Sequence, residues 1–100
     1  MTLSVRLAET AQDDLFELGI WIAAGADKDT ARHYVARIEE ACHQLADYPR
    51  RGSPRDDIMD GLRSIAFGRR ATIFYRIEPT EIVIVHILHS GRAIESAFPE

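Results

Sequence analysis

The sequence is poor in cysteine, and its longest apolar stretch is short. Cys42 is the only thiol among 100 residues, which excludes an internal disulfide and a four-cysteine metal site. The stretch "IVIVHIL" falls well short of the ~20 apolar residues that span a bilayer, and "MTLSVRLAE" has no apolar run of signal-peptide length. These features predict a cytoplasmic protein with no membrane partner, folded as one domain over residues 1–100.

Motifs for phosphate, metal or cofactor binding are also missing. The chain has no glycine-rich phosphate loop, no nucleophile elbow and no zinc motif, and its histidines are not spaced as metal ligands. We therefore predict no cofactor, no metal site and no catalytic residue. Cys42, on an apolar helical stripe, is predicted to act as a small hydrophobic side chain.

The first part of the chain predicts a strand and a helix. Residues 3–7 alternate apolar and polar side chains, as strands do. Thr10 is the predicted N-cap of the helix, and Gly25 marks its end. An apolar stripe at intervals of three and four, widened by two aromatic side chains, comprises Ala11, Leu15, Phe16, Leu18, Trp21 and Ile22.

A second amphipathic helix follows. Asp27 or Asp29 is its predicted N-cap, and it ends near Asp47 because Pro49 disfavours helical geometry at Tyr48. Its apolar stripe comprises Ala31, Tyr34, Val35, Ile38, Ala41, Cys42 and Leu45. Two amphipathic helices with a short connection form a hairpin, which needs a sheet to cover its apolar stripes.

The second half predicts a long loop and three strands. Residues 48–61 contain two prolines and two glycines and are predicted to be a loop. The strands are 62–67, 70–77 and 81–89, with a hairpin turn near 68–69. The last strand is apolar on both faces, which places it inside the sheet. The order β-α-α-β-β-β predicts an α+β fold with the helical hairpin packed on one face of a small antiparallel sheet.

Charge is unevenly distributed in this chain of net charge −4. Residues 1–48 hold four basic and nine acidic side chains, whereas residues 50–76 hold seven arginines and three aspartates. Four guanidinium groups lie in the predicted strands and their turn: Arg63, Arg69, Arg70 and Arg76. They form either a solvated sheet face or an anion-binding surface. Net negative charge disfavours nucleic acid, so carboxylates of a protein partner are the favoured ligand.

Histidines and aromatic side chains each allow two interpretations. His86 and His89 are either satisfied core or edge histidines or an acid–base pair, although residues three apart on a strand face opposite sides. Trp21 and Tyr34 are either core aromatics or contacts for a partner.

Three segments carry a family resemblance: "LADYPRRGSPRDD", "GLRSIAFGRRATIFYRI" and "EIVIVHILHSGRA". In this order they resemble toxins of the RelE/ParE superfamily, and the ParE branch most. The resemblance implies a type II toxin that inhibits DNA gyrase and forms a heterotetramer with a ParD-like antitoxin. An acidic antitoxin segment would then contact Arg63, Arg69, Arg70, Arg76, Trp21 and Tyr34.

Two alternatives stay open. RelE-type members cut messenger RNA on the ribosome, which would here use Arg69, Arg70 and His89. Thr72 stands where such enzymes usually carry an arginine, which counts against this hypothesis. The other alternative is a non-toxic module that only binds the antitoxin. The ending "HSGRAIESAFPE" is interpreted as a tail that a partner orders.

Overall fold

The computed structural model describes residues 3–89 and 94–98. Its elements, in chain order, are β1 (Ser4–Leu7), α1 (Glu9–Gly25), α2 (Lys28–Gln44), β2 (Ser53–Pro54), β3 (Leu62–Phe67), β4 (Ala71–Ile77), β5 (Glu81–His89) and α3 (Ile94–Ala97). The strands form one sheet in the order β1-β5-β4-β3-β2. The predicted α+β fold is confirmed, and β5 lies inside the sheet. The sheet is mixed, because the helical crossover between β1 and the later strands lets β1 run parallel to β5.

The helix ends follow the sequence at most positions. Asp27 caps α2, accepting a 2.7 Å hydrogen bond from the Thr30 amide. The prediction for Thr10 is wrong: Ala8 is the N-cap residue of α1. The Thr10 hydroxyl is instead committed to the Val85 carbonyl of β5 at 2.6 Å. α2 ends at Gln44, because the next three amides bond carbonyls three residues back in a 3₁₀ pattern.

The helical hairpin covers one face of the sheet with most of its predicted apolar stripes, but Phe16 and Trp21, which are 71% and 47% exposed, lie outside the core and their prediction as stripe residues is corrected. This main core includes Ala11, Leu15, Leu18, Ile38, Cys42, Leu45, Ile73, Tyr75, Ile84 and Ile87. Burial raises the pKa of the Cys42 thiol to about 12, so the thiol stays protonated. Cys42 is therefore the small hydrophobic side chain that the sequence predicted.

The other face of the sheet is covered as well. Phe74, Leu62 and Leu88 are buried there, and α3 and the loop before β3 lie over them. The ring of Phe98 meets that of Phe74 edge-on at 5.2 Å. Two expectations are therefore corrected. The face that carries Phe74 is not an open charged surface, and residues 94–98 of the predicted tail pack on the sheet. Residues 90–93 and 99–100 of that tail lie outside the described residues.

Candidate functional site

Two arginines and a histidine meet at the closed end of the β3–β4 hairpin. Gly68 opens the turn with φ of 60°, a left-handed conformation that glycine adopts at little cost. Arg69 and Arg70 complete the turn, and both are exposed. Across the sheet, Ala71 pairs with His89, the last residue of β5. Among the described residues, none forms a hydrogen bond or ion pair with Arg69 or Arg70.

Two clefts converge on this end of the sheet. The arginine cleft, about 340 Å³, is lined among others by Arg55, Arg69, Arg70, Thr72, His89 and Ile94. The hairpin cleft, about 260 Å³, is lined by Leu18, Trp21, Ile22, Tyr34, Arg70 and His89. The clefts share Arg70 and His89 at the end of the sheet, while the arginine cleft opens on the face of Phe74 and Leu88 and the hairpin cleft opens beside the helices. Asp57 neutralises Arg55 through two 3.1 Å hydrogen bonds, which leaves Arg69 and Arg70 as the unpaired cations of the arginine cleft among the described residues.

Aromatic side chains form the walls of the hairpin cleft. Trp21 stacks on His89 with ring centroids 5.0 Å apart, yet it keeps 47% of its surface exposed. Tyr34 meets Phe67 edge-on at 5.6 Å. Of the six residues predicted to bind a partner, Trp21, Tyr34 and Arg70 thus line a single cleft, and Arg69 lies beside it.

Arg63 occupies a different place from the one the sequence suggested. It lies opposite Tyr75, on the sheet face that packs against the helices. Its Nη1 atom donates to the carbonyls of Arg50 and Gly52 in the loop before β3. Arg63 therefore anchors this loop, and its predicted role in partner binding stays a prediction.

Tyr75 completes the anchoring of that loop. Its hydroxyl donates to the Pro49 carbonyl at 2.7 Å and accepts from the Gly52 amide at 2.9 Å. Burial raises the pKa of Tyr75, so the donated proton is retained. These contacts hold two elements that the sequence did not predict, namely a 3₁₀ turn at Pro49–Arg51 and the two-residue strand β2.

Arg76, like Arg63, lies at the open end of the β3–β4 hairpin, which is the end away from the Gly68 turn. There it pairs with Leu62 of β3. Strand alternation puts it on the face of Phe74, opposite to Arg63. Its Nε atom lies 3.3 Å from Glu78 Oε2. The four predicted arginines thus do not form one surface: Arg69 and Arg70 share the closed end, while Arg63 and Arg76 lie on opposite faces of the open end.

Of the two interpretations offered for His86, the structure agrees with a core histidine whose hydrogen-bonding capacity is satisfied. It is 9% exposed, and its Nδ1 atom lies 2.6 Å from Asp14 Oδ2. The same carboxylate oxygen accepts from the Ile87 amide at 3.0 Å. Asp14 and Thr10, one helical turn apart, thereby supply hydrogen bonds to the part of β5 that lies beyond the short β1. Sequence reasoning missed Asp14, although an acid four residues after Thr10 on the same helix face is a visible signal.

No group of three or more histidine, cysteine or acidic side chains within residues 3–89 and 94–98 is arranged to hold a metal ion. Within the same ranges, no helix is long and apolar enough to cross a membrane.

Comparison of this fold with solved structures identifies the class of protein to which the chain belongs. Solved structures that share the fold include the chromosomal ParDE toxin–antitoxin system of P. aeruginosa and the RelBE2 toxin–antitoxin complex of Mycobacterium tuberculosis. The first matches with a TM-score of 0.77 at 21% identity, covering 88% of this chain and 96% of that one. The second matches with a TM-score of 0.68 at 26% identity, covering 92% and 95%. The architecture is therefore that of RelE/ParE-like proteins.

The sequence then specifies the family. Residues 5–94 match the ParE toxins of type II toxin–antitoxin systems, parDE. The chain belongs to this family, which confirms the resemblance drawn from its sequence. Among curated proteins, no sequence matches the chain significantly.

Proposed function

We propose that this toxin is neutralised by a ParD-like antitoxin whose C-terminal segment is acidic and amphipathic. Apolar side chains of that segment fill the hairpin cleft between Trp21 and Tyr34, and its carboxylates reach Arg69 and Arg70. The observation that carries the proposal is the junction of the two clefts at Arg70. There, exposed aromatic surface lies directly beside guanidinium groups without partners among the described residues.

Charge favours this occupant. Bidentate contacts between arginine and carboxylate are strong and directional. The net charge of −4 disfavours a polyphosphate ligand, because long-range attraction to phosphates needs the opposite sign. A segment that folds on the toxin as it binds fits two open clefts better than a rigid domain does. Two toxins and two antitoxins then form the complex.

Isothermal titration calorimetry with a peptide of the antitoxin C-terminus tests this assignment. The Arg69→Ala/Arg70→Ala variant and the Trp21→Ala variant should each bind at least about tenfold more weakly, as expected for lost charge-assisted contacts or a lost aromatic anchor. Arg6→Ala is the matched control, since Arg6 is an exposed arginine of β1 paired with Glu81. Unchanged affinity in both cleft variants would show that the antitoxin binds elsewhere.

The cellular target in this proposal is DNA gyrase, which places the toxin in the cytoplasm. Support comes from membership of the ParE family and from Thr72, which replaces the arginine that messenger-RNA-cutting relatives usually carry. Expression without antitoxin should produce filamentous cells and induce the DNA-damage response. Purified toxin should stabilise the gyrase–DNA cleavage complex in vitro. Normal growth would instead indicate a module that only binds its antitoxin.

One observation favours a second candidate function. Arg69, Arg70 and His89 line the same cleft, so two guanidinium groups and an imidazole ring surround one space. Ribosome-dependent cleavage of messenger RNA is therefore the alternative activity. Primer extension on translated transcripts should show cuts that disappear with His89→Ala if this alternative holds. Absence of cuts, together with gyrase poisoning, would support the first proposal.

A further inference from the structure

The loop before β3 is fixed to the sheet by two side chains, although several of its own side chains are exposed. Tyr75 and Arg63 together make four hydrogen bonds to its backbone, at Pro49, Arg50 and Gly52. Side chains on a backbone held in this way keep their positions, which lowers the entropy cost of binding a ligand. Binding residues are often found on loops that a rigid scaffold positions. The loop is therefore a suitable place for a preorganised binding surface.

The exposed side chains of this loop border an open groove of about 560 Å³, here called the loop groove. Its lining comprises Asp47, Tyr48, Pro49, Arg50, Arg51 and Ile77. Tyr48 keeps 69% of its surface exposed, and the Arg51 guanidinium lies 5.6 Å from the centroid of its ring. Among the described residues, no carboxylate forms an ion pair with Arg50 or Arg51. The loop groove thus combines an exposed aromatic ring with two guanidinium groups that no described carboxylate neutralises.

The chemistry of the loop groove favours an acidic protein segment as its ligand. Guanidinium groups bind carboxylates through strong, directional, bidentate contacts. Tyrosine and arginine are also among the side chains that contribute most often to protein–protein binding energy. Pro49 and Ile77 add apolar surface that a row of phosphates does not use, and the Asp47 carboxylate in the same lining repels such a row. A segment that combines carboxylates with an apolar side chain therefore fits this lining better than nucleic acid does.

The loop groove is separate from the clefts assigned to the antitoxin. Arg63, which anchors the loop, and Gly68, which opens the turn at the closed end, are five residues apart, a spacing of about 16 Å in extended chain. The loop groove shares no lining residue with the arginine cleft, with the hairpin cleft or with the groove between α1 and α2 in the part of the chain that the structure describes. It therefore offers a second partner a set of contacts that the antitoxin assignment does not use.

We propose that the loop groove binds an acidic segment of the toxin's target, with carboxylates paired to Arg50 and Arg51 and an apolar side chain packed on Tyr48. This inference rests on the proposed function, because it takes DNA gyrase as the target. It adds the surface through which the toxin holds that enzyme and the kind of segment that this surface recognises. Because the target and the antitoxin then contact different side chains of the toxin, a variant can weaken one interaction and leave the other unchanged.

Stabilisation of the gyrase–DNA cleavage complex by purified toxin is the first test. The Arg50→Ala/Arg51→Ala variant should need at least about tenfold more toxin for the half-maximal effect, and Tyr48→Ala at least about fivefold, because central interface contacts are lost. Arg6→Ala is the control, since it removes an exposed arginine that lies outside the groove and pairs with Glu81. Circular dichroism should show wild-type folding for all three variants, because the truncated side chains are exposed.

The outcome for the wild type separates this inference from the proposed function. A wild-type toxin without effect on gyrase overturns both. An active wild type whose loop-groove variants are equally active overturns this inference alone and leaves gyrase as the target, held through another surface of the toxin.

Biolayer interferometry on immobilised gyrase, with and without DNA, tests the chemical class of the ligand. We expect the wild-type toxin to bind DNA-free gyrase and Arg50→Ala/Arg51→Ala to bind it at least about tenfold more weakly. Binding that appears only in the presence of DNA would identify phosphates as the ligand and contradict the acidic segment. Calorimetry with the antitoxin peptide should give the same affinity for this variant and the wild type. Loss of antitoxin affinity in the variant would assign the loop groove to the antitoxin and overturn the proposal.

Discussion

The two ends of the β3–β4 hairpin use the same residue type in opposite ways. At the open end, Arg63 donates to two loop carbonyls, and Arg76 pairs with Glu78. At the closed end, Arg69 and Arg70 have no hydrogen-bonding partner among residues 3–89 and 94–98. The difference lies in what surrounds each guanidinium: loop carbonyls for Arg63, the Glu78 carboxylate for Arg76, and an open turn for Arg69 and Arg70. We therefore expect arginines at the open end to contribute to stability, whereas those at the closed end are exposed to a ligand.

The largest effect on stability is expected from adding a side chain at Gly52, where the loop before β3 packs closely against Tyr75. A Cβ atom at Gly52 would lie 2.5 Å from the Tyr75 hydroxyl and 2.9 Å from the Ser64 carbonyl oxygen. Both distances are too short, and the second involves backbone that cannot yield easily. Gly52→Ala should lower the free energy of unfolding by about 2–4 kcal/mol, since overpacking is added to a broken hydrogen bond.

Thermal and denaturant unfolding followed by circular dichroism measure this loss. Gly25→Ala is the matched control, because no atom lies within 4 Å of the added Cβ there. Equal stability of the two variants would show that the loop is not held against Tyr75.

A smaller loss is expected from removing one oxygen atom at the open end. Tyr75→Phe deletes the hydroxyl that joins Pro49 to Gly52 and leaves both backbone groups without that partner. The expected loss in the free energy of unfolding is about 1–2 kcal/mol, the typical cost of an unsatisfied buried group. Tyr48→Phe, at a position 69% exposed, should change little in the same unfolding experiment. A stable Tyr75→Phe protein would mean that water replaces the hydroxyl.

Next in size is the comparison within the open end. Arg63→Ala should cost about 1 kcal/mol, because two carbonyls lose a charged donor. Arg76→Ala should cost less, since a partly exposed ion pair is worth about 0–1 kcal/mol; the Arg76 and Glu78 side chains are 33% and 40% exposed. Urea unfolding of both variants under identical conditions gives the difference directly. The reverse order would place the anchoring interaction on the other face of the sheet.

Much of this fold is predictable from the sequence because its signals are local. Helical stripes, strand alternation and the Asp27 cap each depend on spacing along the chain, and each is found in the structure. The misassigned features depend on contacts that are distant in sequence. Thr10 was expected to cap a helix, but it bonds Val85 instead, 75 residues later. No local pattern shows that β5 extends beyond the end of β1, so that its backbone there needs hydrogen bonds from side chains.

The candidate site shows the same limit. Strand alternation puts Phe74 and Tyr75 on opposite faces of β4, as the structure has them, but it cannot show that α3 covers Phe74. Four arginines close together in sequence suggested one surface, yet the hairpin puts them at two ends and on two faces. Whether an arginine is available depends on the loop that folds over it, and the sequence 48–61 predicts a loop without predicting where its carbonyls point.

The smallest effect on stability is expected at the closed end. Arg69→Ala/Arg70→Ala removes two exposed side chains that make no internal hydrogen bond within the described residues, so the free energy of unfolding should change by less than about 0.5 kcal/mol. The same variant should lose antitoxin affinity in calorimetry, whereas Tyr75→Phe should lose stability and keep that affinity. The opposite effects of these two variants distinguish residues that bind the antitoxin from residues that anchor the loop before β3. If Arg69→Ala/Arg70→Ala unfolds as readily as Tyr75→Phe, the closed end also carries structural contacts, and the division between the two ends fails.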